Sequence, residues 1–482
     1  MFYFYFEARH RPESAPVVLW MTGGPGCSSE LAVLFENGPY TLTANGTLEE
    51  NEFGWDTYHH MIYVDQPINT GFSYSDDPRD RVYGEDMVGE DMLDFLRAFY
   101  QARPELQELP LYITGESYAG HYVPAVAHRV FLANKNQEGP AINFKGLAIG
   151  NGLTNPAIQF NAYGDFALQN GLISSMTRSV MSFLFPLCSI ASTLCDSTNW
   201  SWLCDLGVNY CMSTQFQPIL VANPDINVYD ILRKCEGPLC YDFSAADSFL
   251  NSKATQKALG VDKPWVSCDM DVYQDFTSDW LHRFDTVLPD MLADGIRVQI
   301  YAGDLDLICN YLGNRRWVDA LEWSQSTDWA TAEDQEWSVK GFPAGQVTEV
   351  GPLSFVKVFM AGHMVPMDQP LHSLAHITAF THSKSLASLS SSLPSTSVLR
   401  GSAAAGKSDI AAYFAALVSQ SDVSGQQAAA AEFAPRDATS TRPAQVKRRP
   451  SLSTARFMSK MRQAMKVIRA QQDRKLRRHR NV

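Results

Sequence analysis

A serine flanked by small residues follows a strand-like run in the segment LYITGESYAGHYVP. Residues 111–114 are aliphatic, aromatic or β-branched and suit a buried parallel strand. Gly115 and Ala119 leave space for a sharp reversal, and from Tyr122 onward the apolar residues recur at helical spacing. A strand, a tight turn with Ser117 at its tip and a helix form a nucleophile elbow, although similar patterns occur in ordinary turns. The segment predicts Ser117 as a nucleophile if a matching base exists.

A serine nucleophile requires a base and an acid that orients the base. Among the 11 histidines, His363 is the best candidate, because it follows a strand-like run and precedes a proline-containing loop. Asp304 and Asp306 follow a second strand-like run. In an open α/β sheet, catalytic groups lie at the carboxyl ends of the strands. The chain order serine, aspartate, histidine is that of the α/β-hydrolase triad and predicts this fold.

The segment VVLWMTGGPGCSS offers backbone donors for the charge that develops on a carbonyl under attack. Residues 17–20 read as a strand that leads into a glycine-rich loop, where the backbone can approach a substrate closely. The N–H groups of Gly24 and of Tyr118, next to the nucleophile, would form a two-donor oxyanion hole. The alternative is a plain glycine-rich turn or a phosphate loop, but the Lys-Ser/Thr that a phosphate loop requires does not follow.

The chain divides by composition near residue 383. Its 482 residues, 45% of them hydrophobic, suffice for one large domain with additions. Residues 383–482 carry 18 Lys and Arg against 5 Asp and Glu, which leaves 21 against 47 for residues 1–382. The acidic body argues against nucleic acid as its partner. The Ser/Ala-rich and then basic tail cannot support a packed core and is predicted to be disordered.

Within the tail, five apolar residues recur at helical spacing among Lys and Arg: Phe457, Met461, Ala464, Met465 and Ile468. Such a helix could bind a membrane surface or a calmodulin-like partner. The favoured interpretation is a disordered basic tail or a gene-model extension without function. The sequence identifies no partner for it.

The sequence was searched for a membrane span and for a signal peptide. No stretch of about eighteen apolar residues is present, so no membrane span is predicted. The opening residues, MFYFYFEARH, alternate like a strand. They lack the basic region and the small-residue cleavage site of a signal peptide.

Six segments, in order along the chain, resemble the serine carboxypeptidases: WMTGGPGCSSELAVLFENGP, VDQPINTGFSYS, ITGESYAGHYVP, GLAIGNGLT, YAGDLDLICNYLGN and AGHMVPMDQP. The resemblance covers residues 1–382. Thr22 and Glu30 in the first segment are similar to the carboxypeptidase III-like branch of plants. The resemblance implies an α/β-hydrolase fold with a central, mostly parallel sheet.

The resemblance also implies a role for each catalytic residue. It assigns Ser117 as nucleophile, Asp306 rather than Asp304 as the acid of the triad, and His363 as the base. The implied oxyanion donors are the N–H groups of Gly24 and Tyr118.

The resemblance further implies that the C-terminal carboxylate of a peptide is recognised. The residues implied in substrate binding are Thr22, Gly23, Glu36, Glu116, Cys309 and Met364. Thr22 stands where most members have Asn, so only a hydroxyl is available there. Glu36, Glu116 and a substrate carboxylate cannot all be ionised together, so we expect a shared proton. Peptidase activity is therefore predicted to favour acidic pH.

For the nine cysteines, the resemblance implies four disulfides and one free thiol. No C-x-x-C pair is present, which disfavours zinc and thioredoxin-like chemistry, and neither a metal nor a cofactor is predicted. The symmetric spacing of four cysteines suits the nested bridges Cys188–Cys211 and Cys195–Cys204. The resemblance implies Cys235–Cys240 and Cys27–Cys268, although spacing does not prove connectivity. Cys309 remains, and the resemblance implies that it is free and lines the substrate site.

Disulfides and the sequons at Asn45 and Asn199 predict a secretory route that ends in a vacuole, in a lysosome-like compartment or outside the cell. Because a leader is missing, we expect that Met1 begins inside the domain and that the gene model is truncated. Residues 170–250 interrupt the alternation of strands and helices. They are predicted to form an inserted, disulfide-linked helical lid over the site.

Three functions follow from these features. The first is an exopeptidase that releases C-terminal residues from peptides and proteins through an acyl-enzyme. The second is an acyltransferase that passes the acyl group to an alcohol. Retention of both Glu36 and Glu116 favours the peptidase, because an acyltransferase has no C-terminal carboxylate to hold. The third is a non-catalytic protective or scaffolding protein, which an intact triad disfavours as the sole role.

Overall fold

The computed structural model of the chain describes residues 1–388 except Pro238, together with residues 414, 415, 417 and 418. Within these residues, nine strands form one sheet and two more form a hairpin. The strands, in chain order from β1 to β11, are Tyr3–Phe6, Val17–Met21, Tyr40–Leu42, Leu48–Glu50, His60–Val64, Leu111–Glu116, Phe144–Gly150, Arg297–Gly303, Gln335–Val339, Phe342–Val350 and Leu353–Val358. β3 and β4 are the hairpin.

The large sheet has the order β1-β5-β2-β6-β7-β8-β11-β10-β9. Its five central pairings, from β5 to β11, are parallel, and the pairings at the two edges are antiparallel. β2, β5 and β6 are buried along their whole length, as expected of parallel strands that are covered on both faces. The predicted mostly parallel α/β sheet is confirmed.

Two hydrophobic cores cover the two faces of the sheet. Along β2, Val17, Leu19 and Met21 enter one core, and Val18 and Trp20 enter the other, because successive side chains of a strand point to opposite faces. The helices, in chain order from α1 to α16, are Glu30–Phe35, Glu85–Ala102, Ala119–Lys135, Pro156–Gln159, Ala162–Gln169, Ser175–Thr198, Ser201–Cys211, Gln217–Ala222, Ser244–Leu250, Lys253–Leu259, Met270–Asp275, Leu288–Ala293, Tyr311–Asp319, Ser326–Thr331, Val365–Asp368 and Pro370–Thr381. Shorter helical turns are Trp55–Thr57, Pro78–Asp80, Pro104–Leu106, Met212–Phe216, Thr277–Asp279 and Asp285–Val287.

The carboxyl ends of β2, β6, β7, β8 and β11 lie side by side because these strands are parallel neighbours. The loops that follow them therefore meet at one edge of the sheet. This edge is where the sequence places its candidate catalytic residues.

The segment predicted as a lid contains α6 to α9. Buried side chains of α6, α7 and α8 form a third core with α5, whereas those of α9 enter the core that contains Trp20. By length and composition alone, α6 could cross a membrane. The sequence criterion was an unbroken run of about eighteen apolar residues, which α6 does not contain because Ser and Thr interrupt its apolar residues. In the structure its Cys188 and Cys195 are buried and bridged to α7.

Some side chains beyond the predicted boundary pack on the body. Leu386, Phe414 and Leu417 are buried in the same core as Trp20. Phe414 stacks on Tyr58 with a distance of 5.0 Å between ring centroids. The basic segment with the predicted amphipathic helix lies outside the described residues.

Candidate active site

The turn after β6 holds Ser117 in a conformation that non-glycine residues rarely adopt, with φ of +68°. Helix α3 begins at Ala119, earlier than the apolar spacing indicates, because the turn passes directly into the helix. Gly115 makes this possible: a Cβ there would lie 2.5 Å from Met21 O and 2.7 Å from Ala119 Cβ. The geometry is that of a nucleophile elbow.

Asp306 and His363 meet at the same sheet edge. Asp306 Oδ2 accepts a hydrogen bond from His363 Nδ1 over 2.9 Å, and both side chains are buried. The loop after β8 supports the carboxylate, since Oδ1 accepts from Ile308 N at 3.0 Å. The Asp304 carboxylate instead accepts a hydrogen bond from Met360 N. The histidine ring is bonded to Asp306, as the resemblance implied. With Nδ1 bonded to a carboxylate, Nε2 is the nitrogen that can exchange a proton.

Asn151 also belongs to the site, although the sequence did not single it out. It follows β7 and donates through Nδ2 to Asp306 Oδ2 over 2.7 Å, while its Oδ1 accepts from Gly303 N at 3.2 Å. The amide therefore fixes the acid and the end of β8 together. A polar residue directly after a strand-like run, within the segment GLAIGNGLT, was the signal that could have found it.

Ser117 and His363 line one cavity of about 200 Å³. His363 Nε2 is buried and has no hydrogen-bond partner among the described residues. Hydrogen bonds between nucleophile and base often form only when substrate is bound. The cavity walls are mainly apolar and include Phe160, Tyr163, Met212, Tyr229, Leu239 and Trp280.

The glycine-rich loop after β2 packs directly against the elbow. A Cβ on Gly23 would lie 2.4 Å from Tyr118 N and 2.8 Å from Ser117 Cβ, so only glycine permits this approach. Gly24 and Tyr118 both line the cavity beside the nucleophile. The arrangement brings together the two backbone groups predicted as oxyanion donors.

Glu116 lines the same cavity and is hydrogen-bonded to Glu36. Burial raises the pKa of Glu116 well above its usual range, and the charge of Glu36 and the hydrogen bond to it raise it further. Burial also raises the pKa of Glu36 to about 7, against the opposing effects of the hydrogen bond to Glu116 and the nearby His363. Each side chain has one buried oxygen without a partner among the described residues. The pair is therefore a protonated donor in acidic solution.

The other predicted substrate residues also reach the cavity, which is lined by Thr22, Gly23, Cys309 and Met364. Thr22 Oγ1 accepts from Trp20 Nε1 over 3.0 Å, which leaves its own proton free to donate. Cys309 is the free cysteine and is buried. Burial, with the charges of Asp306 and Glu116, raises the pKa of this thiol well above its ordinary value.

The structure contains the four bridges Cys27–Cys268, Cys188–Cys211, Cys195–Cys204 and Cys235–Cys240. This is the connectivity that spacing suited for two pairs and resemblance implied for the others. Cys27 and Cys268 both line the cavity, so that bridge ties the glycine-rich loop to the chain beyond the lid. Cys195 and Cys204 lie near His282, but their sulfurs are bonded to each other rather than available as thiolate ligands.

Comparison with known proteins agrees with this geometry. The model of the family described as serine carboxypeptidase matches residues 1–383. The chain belongs to the serine carboxypeptidase family. It is 49% identical to serine carboxypeptidase 3 of Oryza sativa subsp. japonica over 385 residues, covering 80% of this chain and 76% of the relative. It is 38% identical to carboxypeptidase Y homolog A of Coccidioides posadasii, covering 78% of this chain and 70% of the relative.

A solved structure supports both fold and family. Kex1(delta)p, a prohormone-processing carboxypeptidase from Saccharomyces cerevisiae, superposes with a TM-score of 0.70 at 26% identity. The match covers 79% of this chain and 86% of the yeast chain. The predicted family, the α/β-hydrolase fold and the assignment as a serine-type carboxypeptidase are confirmed.

Proposed function

We propose that this carboxypeptidase releases C-terminal residues from peptides and proteins with Ser117, His363 and Asp306 as its triad. Ser117 Oγ attacks the scissile carbonyl carbon while His363 Nε2 takes its proton, and Asp306 stabilises the resulting imidazolium. The N–H groups of Gly24 and Tyr118 stabilise the oxyanion. His363 then protonates the departing amine, and water hydrolyses the acyl-enzyme by the same route in reverse.

The observation that carries this proposal is a hydrogen-bonded carboxyl pair in which Glu116 lines the cavity of the nucleophile and Glu36 lies behind it. Protonated Glu116 donates to the terminal carboxylate of the substrate, assisted by the Thr22 hydroxyl and Gly23 N–H. Glu36 carries the charge that appears as the pH rises through about 7. That charge repels the substrate carboxylate, so peptide hydrolysis is fastest in acid. Acyl transfer to an alcohol would not require such a pair, because its substrate has no C-terminal carboxylate to hold.

The remaining chain features fit a secreted or vacuolar enzyme. Four disulfides belong to an oxidising compartment. Asn45 and Asn199, the two sequon residues, are exposed, which suits N-linked glycosylation. Residues 170–250 act as the lid of the catalytic domain, which spans residues 1–382, and their Met212, Tyr229 and Leu239 line the cavity and select substrate side chains.

The test uses N-blocked dipeptides with a free or an amidated C-terminus, assayed at pH 5 and pH 8. The free-acid dipeptide should be cleaved preferentially and better at pH 5. Ser117→Ala should lower turnover by about 10⁴–10⁶ without loss of folding, judged by thermal unfolding. Equal cleavage of both substrates at both pH values, or an active Ser117→Ala variant, would contradict the proposal.

A further inference from the structure

A second pair of buried acids, Glu85 and Asp279, adjoins the side chain of Tyr118. The Tyr118 hydroxyl donates to Asp279 Oδ2 over 2.8 Å. Asp279 Oδ1 lies 3.6 Å from the position that a Cβ on Gly84 would occupy, so the start of α2, with Glu85, abuts this carboxylate. Asp279 therefore contacts the residue whose backbone N–H we assign to the oxyanion hole, and Glu85 lies behind it.

Stability does not explain these acids. Glu85 is 3% and Asp279 8% exposed, and no Lys or Arg among residues 1–388 forms a salt bridge with either. Both oxygens of Glu85 lack a hydrogen-bond partner within the described part of the chain. Burial raises the pKa of Glu85 well above its usual range. Burial without a cation costs folding free energy, and such groups cluster at functional sites.

The ring of Tyr118 packs against four aromatic side chains. It stacks on His121 with 4.6 Å between ring centroids and meets Tyr122 edge-on at 5.2 Å. Phe276 and Trp280 complete the enclosure. A side chain enclosed in this way and anchored at its hydroxyl fixes the backbone from which it projects, and that backbone includes the N–H beside the nucleophile.

The segment that carries Asp279 is also attached to the lid. Ser192 Oγ on α6 donates to Leu281 O over 3.0 Å. Arg283 N donates to Asp196 Oδ1, also on α6, over 3.0 Å. The segment of Asp279 therefore connects α6 to the side chain of Tyr118.

We propose that Asp279 is a positioning residue that, by accepting the Tyr118 hydroxyl, holds the Tyr118 N–H in line with the oxyanion. This inference rests on the proposed function, because it presupposes that role for the N–H. Loss of the anchor weakens a contact made only in the transition state, so it lowers kcat and leaves substrate binding unchanged.

The test compares Tyr118→Phe, Asp279→Ala and Asp279→Asn with the control Tyr112→Phe. Tyr112 is also buried, and its hydroxyl donates to Thr381 O over 2.8 Å, away from the cavity. Deleting a whole oxyanion donor costs about 10²–10³ in kcat, so a loosened donor should cost about tenfold in Tyr118→Phe and Asp279→Ala. KM should be unchanged for free-acid and amidated substrates alike. Asp279→Asn, whose amide oxygen can accept the same proton, should recover most of kcat.

A second readout measures the oxyanion hole directly with an N-blocked amino aldehyde. Ser117 Oγ adds to the aldehyde carbon, its proton passes to His363, and the carbonyl oxygen becomes the oxyanion of a hemiacetal. Ki should rise by the factor by which kcat falls, while Ki for a free amino acid product stays constant.

The outcomes separate the two proposals. An aldehyde that binds Ser117→Ala as tightly as the unmodified enzyme would overturn the proposed function. An enzyme that passes that test, but in which Tyr118→Phe behaves like Tyr112→Phe, would overturn the role of Asp279. So would an Asp279→Asn variant as impaired as Asp279→Ala.

Discussion

The carboxyl pair makes a quantitative prediction for the pH dependence of peptide binding. A free-acid peptide should bind the form in which Glu36 is neutral, and the pKa of Glu36 is raised to about 7, chiefly by burial. About nine-tenths of the enzyme has this form at pH 6 and about one-tenth at pH 8. Because apparent affinity falls in proportion to the competent fraction, Kd should rise about tenfold between these pH values.

Glu36→Gln is the perturbation that isolates this effect. Glutamine keeps the shape and can donate its amide N–H to Glu116, which leaves the Glu116 proton for the substrate, but it cannot ionise. Kd for a free-acid dipeptide should therefore stay constant from pH 6 to pH 8. Glu49→Gln, an exposed substitution of the same kind on β4, should keep the full tenfold rise.

Calorimetry on a Ser117→Ala background avoids the difference between KM and Kd. Binding at pH 7 in buffers of different ionisation enthalpy should show uptake of part of a proton. The amidated dipeptide should show neither the proton uptake nor the change in Kd. Two results would refute the reasoning: a Kd for the free acid that stays constant with pH in Ser117→Ala with Glu36 intact, or an equal rise in Kd for the amidated dipeptide.

Two further predictions concern the thiol and the buried acids. Cys309 should be the single thiol that titrates in non-reducing denaturant. In native enzyme at pH 7 its thiol should be alkylated slowly, because burial raises its pKa. Two or more titratable thiols would contradict the observed bridges. The free energy of unfolding should fall as the pH rises from 6.5 to 8.5, by up to about 1.4 kcal/mol per pH unit for each group involved. The reason is that burial raises the pKa of Glu30, Glu85 and Glu116 well above the unfolded value. The stability that a raised pKa provides is lost as the pH rises through the pKa of the folded state. Buried histidines such as His59, with a pKa lowered to about 3, oppose this trend only below about pH 6.5. Denaturant titrations at several pH values check it, and constant or rising stability in this window would exclude the effect.

The strands and the elbow could be predicted because their signals are local. Residues 111–114 and 17–20 are apolar runs that end in small residues, and both form strands that extend slightly further, to Glu116 and Met21. Parallel pairing then brings together residues as distant in sequence as Asp306 and His363. The predicted site follows from this one rule of topology.

Contacts that depend on the approach of distant loops could not be predicted. Asp279 lies 161 residues from Tyr118 in sequence, and no periodicity marks it as the partner of a phenol. Asn151 carried a local signal, but its bond to Asp306 depends on the adjacency of β7 and β8. The start of α3 was also missed, because apolar spacing reports the buried face of a helix and not its first turn.

The left-handed backbone of Ser117 has a consequence for the evolution of the chain. A residue with a Cβ at φ of +68° costs on the order of 1 kcal/mol that glycine would not. Selection for catalysis thus maintains serine against a more stable alternative that one substitution can reach. In a duplicated gene released from that selection, Ser117→Gly would be favoured by stability alone, and a folded, inert descendant would be expected to lose its nucleophile before its core.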